Sequence, residues 1–371
     1  MRPRHVYVHV PFCARRCSYC DFSIAIRRAV PWEAFAGAVS REVELRFPGD
    51  GLPWEADTLY FGGGTPSRLG SEGVVRLLGA LRERVELVTG AEVTLETNPE
   101  DVTPEAARAW AAAGINRVSL GAQSFDDRVL AWMHRVHDAS TTIRAVDVLR
   151  ASGIGALSVD LIFAVPDVLE RDWERDLDAA LALAPDHLSL YGLTVEPKTP
   201  LGRQAARHEV REAPEERYAA EFLRASTTLT SAGFAHYEVS NFGRGDARGR
   251  HNSAYWRGVS YAGFGPSAHE FDGVSRRWNI APYAAWMDAV AAGIDPVEDE
   301  EVIAGAEATT ETVYLGLRTT AGLPLTAPEW PMAAPWMESG WAERFGDRIV
   351  LTPSGWLRMD AIALTVLRSR L

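Results

Sequence analysis

His5-Val6-Tyr7-Val8-His9-Val10-Pro11-Phe12-Cys13-Ala14-Arg15-Arg16-Cys17-Ser18-Tyr19-Cys20 contains every cysteine of a 371-residue chain. The run begins as a strand, a short apolar stretch rich in Val with Tyr7, and ends in a cysteine loop. No cysteine is left for a fourth thiolate or for a separate disulfide. Three thiolates with gaps of three and two residues can wrap one face of an iron–sulfur cube. One iron then lacks a protein sulfur and is free to bind another molecule. The competing reading is a structural zinc site of three Cys and one His, with His5 or His9 available. Zinc ligands usually come as two separated pairs, whereas these lie in one tight loop with an aromatic before the last cysteine.

Outward from this loop, short apolar runs rich in Val, Leu, Ile or Tyr recur at 5–10, 58–61, 92–96, 117–121, 157–163 and 187–192. Stretches of helical period lie between them at 32–47, 72–84, 104–113, 139–151 and 173–183. Thr103 is placed to cap the third, with Pro104 in its first turn. Gly90, Gly114 and Gly153 mark helix ends or the approach to the next strand. Six β/α units predict a parallel sheet, either a curved partial barrel or an open doubly wound sheet. Both put their chemistry at the C-terminal strand ends, and the unusual residues sit there. Cys13 follows the first strand, Gly62-Gly63-Gly64-Thr65-Pro66 the second and Glu96-Thr97-Asn98-Pro99 the third. Gln123 follows the fourth, Asp160 lies in the fifth and Thr194 follows the sixth.

After about residue 205 the rhythm changes to a helix (215–232), a strand (234–239), an aromatic- and glycine-rich stretch (251–271) and a helix (283–292). From about 298 a small, mostly helical unit follows, with a hairpin-like segment at 343–355 and a last helix, the pattern of a winged-helix-type module. The expected division is therefore 1–205, 206–297 and 298–371. The 38 Lys and Arg against 50 Asp and Glu give a net charge of −12, which argues against a nucleic-acid binder relying on phosphate neutralisation. No apolar run reaches the roughly 18–20 residues needed to cross a bilayer. The chain enters a strand pattern with no signal-peptide core, and clustered cysteines point to a reducing compartment. A cytoplasmic protein is expected, with peripheral membrane contact and a homodimer left open.

The cysteine spacing after a first strand resembles the signature of the radical S-adenosylmethionine (SAM) enzymes. That resemblance implies a 4Fe–4S cluster on Cys13, Cys17 and Cys20, with SAM chelating the open iron and a reducing electron donor as partner. In that superfamily, reduction of the cluster cleaves SAM to a 5′-deoxyadenosyl radical. Further segments resemble the oxygen-independent coproporphyrinogen III oxidase family over essentially the whole chain. They are Tyr7–Cys13, Tyr60–Ser67, Glu96–Pro99, Ser119–Phe125 and Asp160–Pro166. The family's SAM contacts carry over as Tyr7, Tyr19, Gly63, Gly64, Thr65, Glu96, Gln123, Arg135, Asp160 and Thr194. The implied fold is α/β, a partial (β/α)6 TIM-like barrel of the radical SAM type followed by the winged-helix-like unit.

Two departures separate the chain from the decarboxylating oxidase. Phe22 stands where that enzyme has a further cysteine, and only twelve residues precede Cys13. His251-Asn252-Ser253-Ala254-Tyr255-Trp256 instead resembles the HNxxYW motif of the heme-chaperone (HemW) branch. That branch implies heme binding and delivery to client heme proteins, without coproporphyrinogen oxidase activity. His251 is then the candidate for heme ligation or attachment, beside the flat surfaces of Tyr255 and Trp256. His269 is a second candidate. On the residues alone, His251 reads first as an ordinary hydrogen-bonded histidine beside a packed aromatic cluster, and it is the resemblance that turns the reading toward heme. Arg15, Arg16, Arg27 and Arg28 form a basic patch able to meet tetrapyrrole propionates or an acidic redox donor, or simply to face solvent. The alternatives are a radical SAM coproporphyrinogen III dehydrogenase and an iron–sulfur or zinc regulator acting on DNA, the last opposed by the acidic balance.

Overall fold

The computed structural model describes residues 2–48, 53–166 and 169–371. Its first six long strands are β1 (His5–Val10), β2 (Trp54–Gly63), β3 (Val85–Thr97), β4 (Arg117–Gln123), β5 (Ala156–Phe163) and β6 (His187–Gly192). Each pairs in parallel with the next. The helices between them include α1 (Trp32–Arg46), α2 (Gly70–Arg82), α3 (Pro104–Ala113), α4 (Asp127–Trp132), α5 (Ala139–Ala151) and α6 (Trp173–Ala182). Thr103 accepts a hydrogen bond from the Ala106 amide, and Gly114 closes α3 at φ 106° in the left-handed region.

Alternation along these strands decides which side holds the chemistry. Val6, Val8 and Val10 of β1, Leu59 and Phe61 of β2, and Val93 and Leu95 of β3 are buried in one cluster with the helices. The residues of opposite parity are mostly polar: Tyr60, Thr94, Glu96, Ser119, Ser158, Asp160 and Ser189 line a narrow cavity on the other face. The parallel sheet thus wraps a polar lumen and buries its apolar side against the helices.

The expected strands at 58–61 and 92–96 are longer in the structure, because Trp54–Ala56 and Val85–Leu87 pair ahead of them. Gly90, φ 76°, lies inside β3 near this irregularity rather than between elements. After β6 come α7 (Pro200–Ala206), α8 (Glu215–Ser231) and the antiparallel strands β7 (Ala235–Glu238) and β8 (Asn241–Gly243), with β8 paired to β6. A short helix α9 (Arg250–Trp256) follows, and β9 (Ala262–Phe264) then pairs in parallel with β1. The parallel run therefore has seven strands, one more than the six units read from sequence. The sheet order is β9-β1-β2-β3-β4-β5-β6-β8-β7. β9 is only three residues long and is embedded in glycine and aromatic residues, so it has no length over which a strand period can register.

A second, antiparallel sheet joins β10 (His269–Phe271), β11 (Ser275–Asn279) and β12 (Val297–Val302), interrupted by α10 (Tyr283–Ala291). The C-terminal segment packs α11 (Gly305–Arg318), α12 (Trp330–Glu338), α13 (Pro353–Trp356) and α14 (Met359–Arg370) around three short strands, β13 (Leu323–Pro324), β14 (Ala342–Phe345) and β15 (Arg348–Leu351). Helices with an antiparallel β14–β15 hairpin are the features that the winged-helix reading described. Trp336, Trp356, Ile349 and Val366 belong to the same apolar cluster as Leu188 of β6 and Phe222 of α8.

Candidate functional site

Pro11 ends β1, and the chain after it folds back on itself. Phe12–Cys13 pairs in parallel with Ala25–Ile26, and the Ala25 amide donates to the Pro11 carbonyl at 2.7 Å. The loop between is tied down elsewhere: the Ser18 amide donates to the Met133 carbonyl (3.1 Å), and the Leu201 amide to the Ser18 carbonyl (2.8 Å). Cys13, Cys17 and Cys20 consequently face one cavity of about 400 Å³ at the C-terminal strand ends. Its walls also carry Tyr19, Gly63, Gly64, Thr65, Glu96, Gln123, Arg135, Asp160 and Thr194.

The three thiols are free. Cys13 Sγ lies 3.4 Å from Thr65 Oγ1, and Arg135 Nη1 donates to Cys17 Sγ at 3.5 Å. Burial pushes the Cys13 thiol up to about 11 and raises that of Cys20, so thiolates there require cationic compensation of the kind a metal supplies. Among the described residues, no three His, Cys, Asp or Glu side chains gather tightly enough for a single metal ion. Thiols spread around a cavity suit a multi-iron body, in which each sulfur takes its own iron.

The glycines keep the wall close to the loop. A Cβ on Gly64 would stand 2.7 Å from the Pro11 carbonyl carbon and oxygen, and one on Gly63 would stand 2.5 Å from the His9 ring. Gly63 is also at φ 110°. Glu96 is fixed at both oxygens: Tyr60 donates its hydroxyl to Oε1 (2.7 Å), and the Gly63 amide donates to Oε2 (3.0 Å). Burial raises its carboxyl to about 7, with the nearby Asp160 adding to the effect. Asp160 is itself raised by burial, and it accepts from Ser119 Oγ at 2.8 and 3.0 Å. Gln123 adopts φ 67° where the β4–β5 register is irregular. Such backbone strain gathers at functional sites.

Arg135 joins three parts of the wall. Besides Cys17, its guanidinium reaches Asn98 Oδ1 (2.6 Å) and the Gly121 carbonyl (3.0 Å). Asn98, Ser119, His134 and Tyr191 also line the cavity and were not singled out from sequence. For Asn98 a signal existed, since it stands two residues after Glu96 at a strand end. For His134 the signal is geometric, a residue held at φ 60° with its carbonyl taken by Arg15.

Three expected residues lie elsewhere. Tyr7 is absent from the cavity wall: its ring stacks near Tyr60 (6.1 Å between centroids), and its hydroxyl lies 3.1 Å from His9 Nδ1. His251 is 1% exposed inside the barrel, at the N-terminal end of the strands. Its Nδ1 meets Thr58 Oγ1 at 2.7 Å and its Nε2 meets Tyr255 Oη at 2.7 Å, so neither nitrogen is free to take an iron in this arrangement. Burial lowers the imidazole to about 3, so it is neutral at physiological pH. His269 lies on the second sheet, exposed, with its ring stacked on Trp278 at 5.7 Å.

The cavity wall carries exposed apolar side chains. Phe22 and Val136, which line the cavity, are 60% and 56% exposed, and Ile26, paired with Cys13 on the short neighbouring strand, is 50% exposed. Arg27 and Arg28 follow Ile26 on the chain; Arg27 donates to the Ile26 carbonyl at 2.9 Å, with its guanidinium 5.8 Å from the Tyr283 ring. Arg15 and Arg16 are engaged as well: Arg15 donates to the His134 and Arg135 carbonyls, and Arg16 to that of Cys20.

Residues 7–180 match the Radical SAM superfamily. The chain is 38% identical over 372 residues to the heme chaperone HemW of Mycobacterium tuberculosis, covering 99% of this chain and 95% of the relative. It is 31% identical over 321 residues to the heme chaperone HemW of Bacillus subtilis, covering 86% and 84%. Among solved structures, the Escherichia coli coproporphyrinogen III oxidase HemN superposes with a TM-score of 0.81 over 98% of this chain and 89% of that one. At 22% identity this is a likeness of fold.

Proposed function

The chain belongs to the HemW family within the radical SAM superfamily, and from that premise we propose that it binds heme beside a SAM-ligated 4Fe–4S cluster and hands the heme to client heme proteins in the cytoplasm. Cys13, Cys17 and Cys20 hold the cluster in this reading, and when bound it supplies an iron open to SAM. Glu96, its oxygens already oriented by Tyr60 and the Gly63 amide, accepts from the ribose hydroxyls. Gly63 and Gly64 keep the wall low enough for the nucleotide to lie against backbone.

The observation that carries the heme reading is the rim. Exposed Phe22 and Val136 give the cavity wall an apolar face, and the exposed Arg27 and Arg28, which follow the short strand paired with Cys13, offer cationic groups; together they complement a flat macrocycle with two propionates. His134 supplies an exposed imidazole on the same rim, and no side-chain partner engages it among the described residues. The protein holds heme for transfer, with SAM and cluster setting its state and no decarboxylation of coproporphyrinogen.

The test is a hemin titration of anaerobically reconstituted protein, read by its Soret band, followed by transfer to an apo heme protein. Saturable binding and transfer support the reading. Conversion of coproporphyrinogen to a decarboxylated product in the presence of SAM and reductant would replace it with the dehydrogenase.

A further inference from the structure

Every residue type that marks the segment His251–Trp256 is directed into the barrel or toward the C-terminal helices. The segment forms α9, which the Glu92 carboxylate holds at its start by accepting from the Arg250 and His251 amides at 3.0 and 2.9 Å. The contacts of α9 lie at the N-terminal strand ends, since Thr58 pairs with His5 where β1 begins while Val10 and Gly63 pair at the far end. At about 3.3 Å per residue, roughly 16 Å of strand separates this floor from the cysteine loop. Asn252 lines the narrow polar lumen together with Tyr60, Glu96 and Asp160. Trp256 lies under the Arg318 guanidinium of α11, 4.3 Å from its carbon.

His251 links this floor to the site above. Its ring stacks on Tyr60 at 5.1 Å and 26°, while Thr58 and Tyr255 pin its two nitrogens. A ring held at both nitrogens has no freedom to tilt, so it is a fixed platform under Tyr60. Tyr60 in turn donates to Glu96 at 2.7 Å. We propose that His251 is a positioning residue of the SAM site: the His251–Trp256 segment is a barrel floor that sets Tyr60, and through it the Glu96 carboxylate. This rests on the reading above in which Glu96 accepts from the SAM ribose. It gives the segment a task that needs no iron at the imidazole.

The experiment uses reconstituted full-length protein and reads SAM affinity from the change SAM causes in the cluster's electron paramagnetic resonance signal. Mis-setting one hydrogen bond predicts about fivefold weaker SAM binding in His251→Ala and in Tyr60→Phe. The double variant is no weaker than either single one, because both act through one contact. His251→Phe, which keeps a flat ring under Tyr60, recovers most of the affinity.

A second readout separates positioning from a general loosening of the fold. The Tyr60 hydroxyl lowers the Glu96 carboxyl, while Asp160 on β5 and the neighbouring Tyr7, Tyr191 and Tyr255 also face it. Losing that hydroxyl's alignment moves the pH midpoint of SAM binding upward, equally in His251→Ala and Tyr60→Phe. Hemin binding, by Soret position and stoichiometry, is unchanged in His251→Ala.

Unchanged SAM affinity in His251→Ala, or losses that add in the double variant, overturns the proposal. So does a loss of the hemin band with SAM binding intact. Where the alanine variant does not fold, Tyr255→Phe frees Nε2 without opening a cavity. A two- to threefold loss, about what one misplaced contact predicts, that disappears in the Tyr60→Phe background supports the proposal, and no loss overturns it. If wild-type protein fails to respond to SAM at all, the functional reading fails, which is a different result.

Discussion

Glu96 is the residue whose ionisation the site most depends on. Buried and raised to about 7, it accepts best as the carboxylate, so lowering the pH through that value protonates it and removes a charged acceptor. SAM affinity should therefore rise between about pH 6 and pH 8. The SAM amino group titrates as well, so the contribution of Glu96 is the difference between wild type and Glu96→Gln, measured by titration at each pH. The glutamine variant should bind about tenfold more weakly at pH 8, with the gap closing toward pH 6. The linkage to stability runs the other way. With its folded pKa raised, Glu96 favours folding most below its ordinary value of 4.5, and that contribution is lost as the pH rises through about 7. The urea midpoint of Glu96→Gln should accordingly exceed that of wild type more at pH 8 than at pH 5. Arg135 gives a second case. Arg135→Ala strands Asn98, the Gly121 carbonyl and Cys17 together, so we expect about 2–4 kcal/mol less stability in urea and poor iron retention on reconstitution. At this scale sequence reading reached the cysteines, Glu96 and Asp160, because each lies in, ends or follows a strand run. It did not reach the seat of His251. A motif fixes which residues occur together, whereas the partners of its imidazole, Thr58 and Tyr255, are set by how α9 closes the barrel.

At the scale of elements, the strands were readable as short runs rich in Val, Leu, Ile or Tyr, each followed by turn chemistry or a polar group. The lumen was not, since alternating polar residues in a parallel strand look the same from sequence whether they face solvent or a shared interior. β9 escaped for a related reason: three residues carry no period, and it is defined only by its partner β1. The junction of β2 with the cysteine loop is a close backbone approach beside the site. In Gly64→Ala the added carbon would meet the Pro11 carbonyl at 2.7 Å, and backbone there cannot swing aside as a side chain would. We expect about 1–3 kcal/mol of destabilisation in thermal or urea unfolding, together with lower iron and sulfide content after reconstitution. Gly79, whose added Cβ would meet nothing within 4 Å, is the control. Gly79→Ala on α2 should be neutral or stabilising by up to about 1 kcal/mol, the helix-propensity gain of alanine over glycine.

Across the whole molecule, the expected boundary near residue 298 describes a change of rhythm in the chain, yet the apolar packing runs across it. Leu317, Trp336, Trp356 and Val366 are buried in one cluster with Phe222, Phe242 and Leu188 of the sheet edge. Backbone bonds bridge the same seam, from the Val239 amide to the Arg318 carbonyl (3.2 Å) and from the Thr320 amide to the Tyr237 carbonyl (3.1 Å). Sequence could not disclose this, because it shows that a helix has an apolar face and not which neighbour covers it. A seam packed like a core should not melt separately from what it joins. Trp356, 6% exposed and donating its indole N–H to the Leu317 carbonyl at 3.0 Å, is the residue to remove. Trp356→Ala should cost about 3–5 kcal/mol, and the loss should appear in the barrel as well as in the C-terminal helices. Hydrogen exchange reports both regions in one sample: amides of β5 and β6 should lose protection together with those of α11 and α14. Protection retained in β5 and β6 while α11 and α14 open would mean that the C-terminal helices form an independent cooperative unit, and that the shared cluster joins two parts that fold separately.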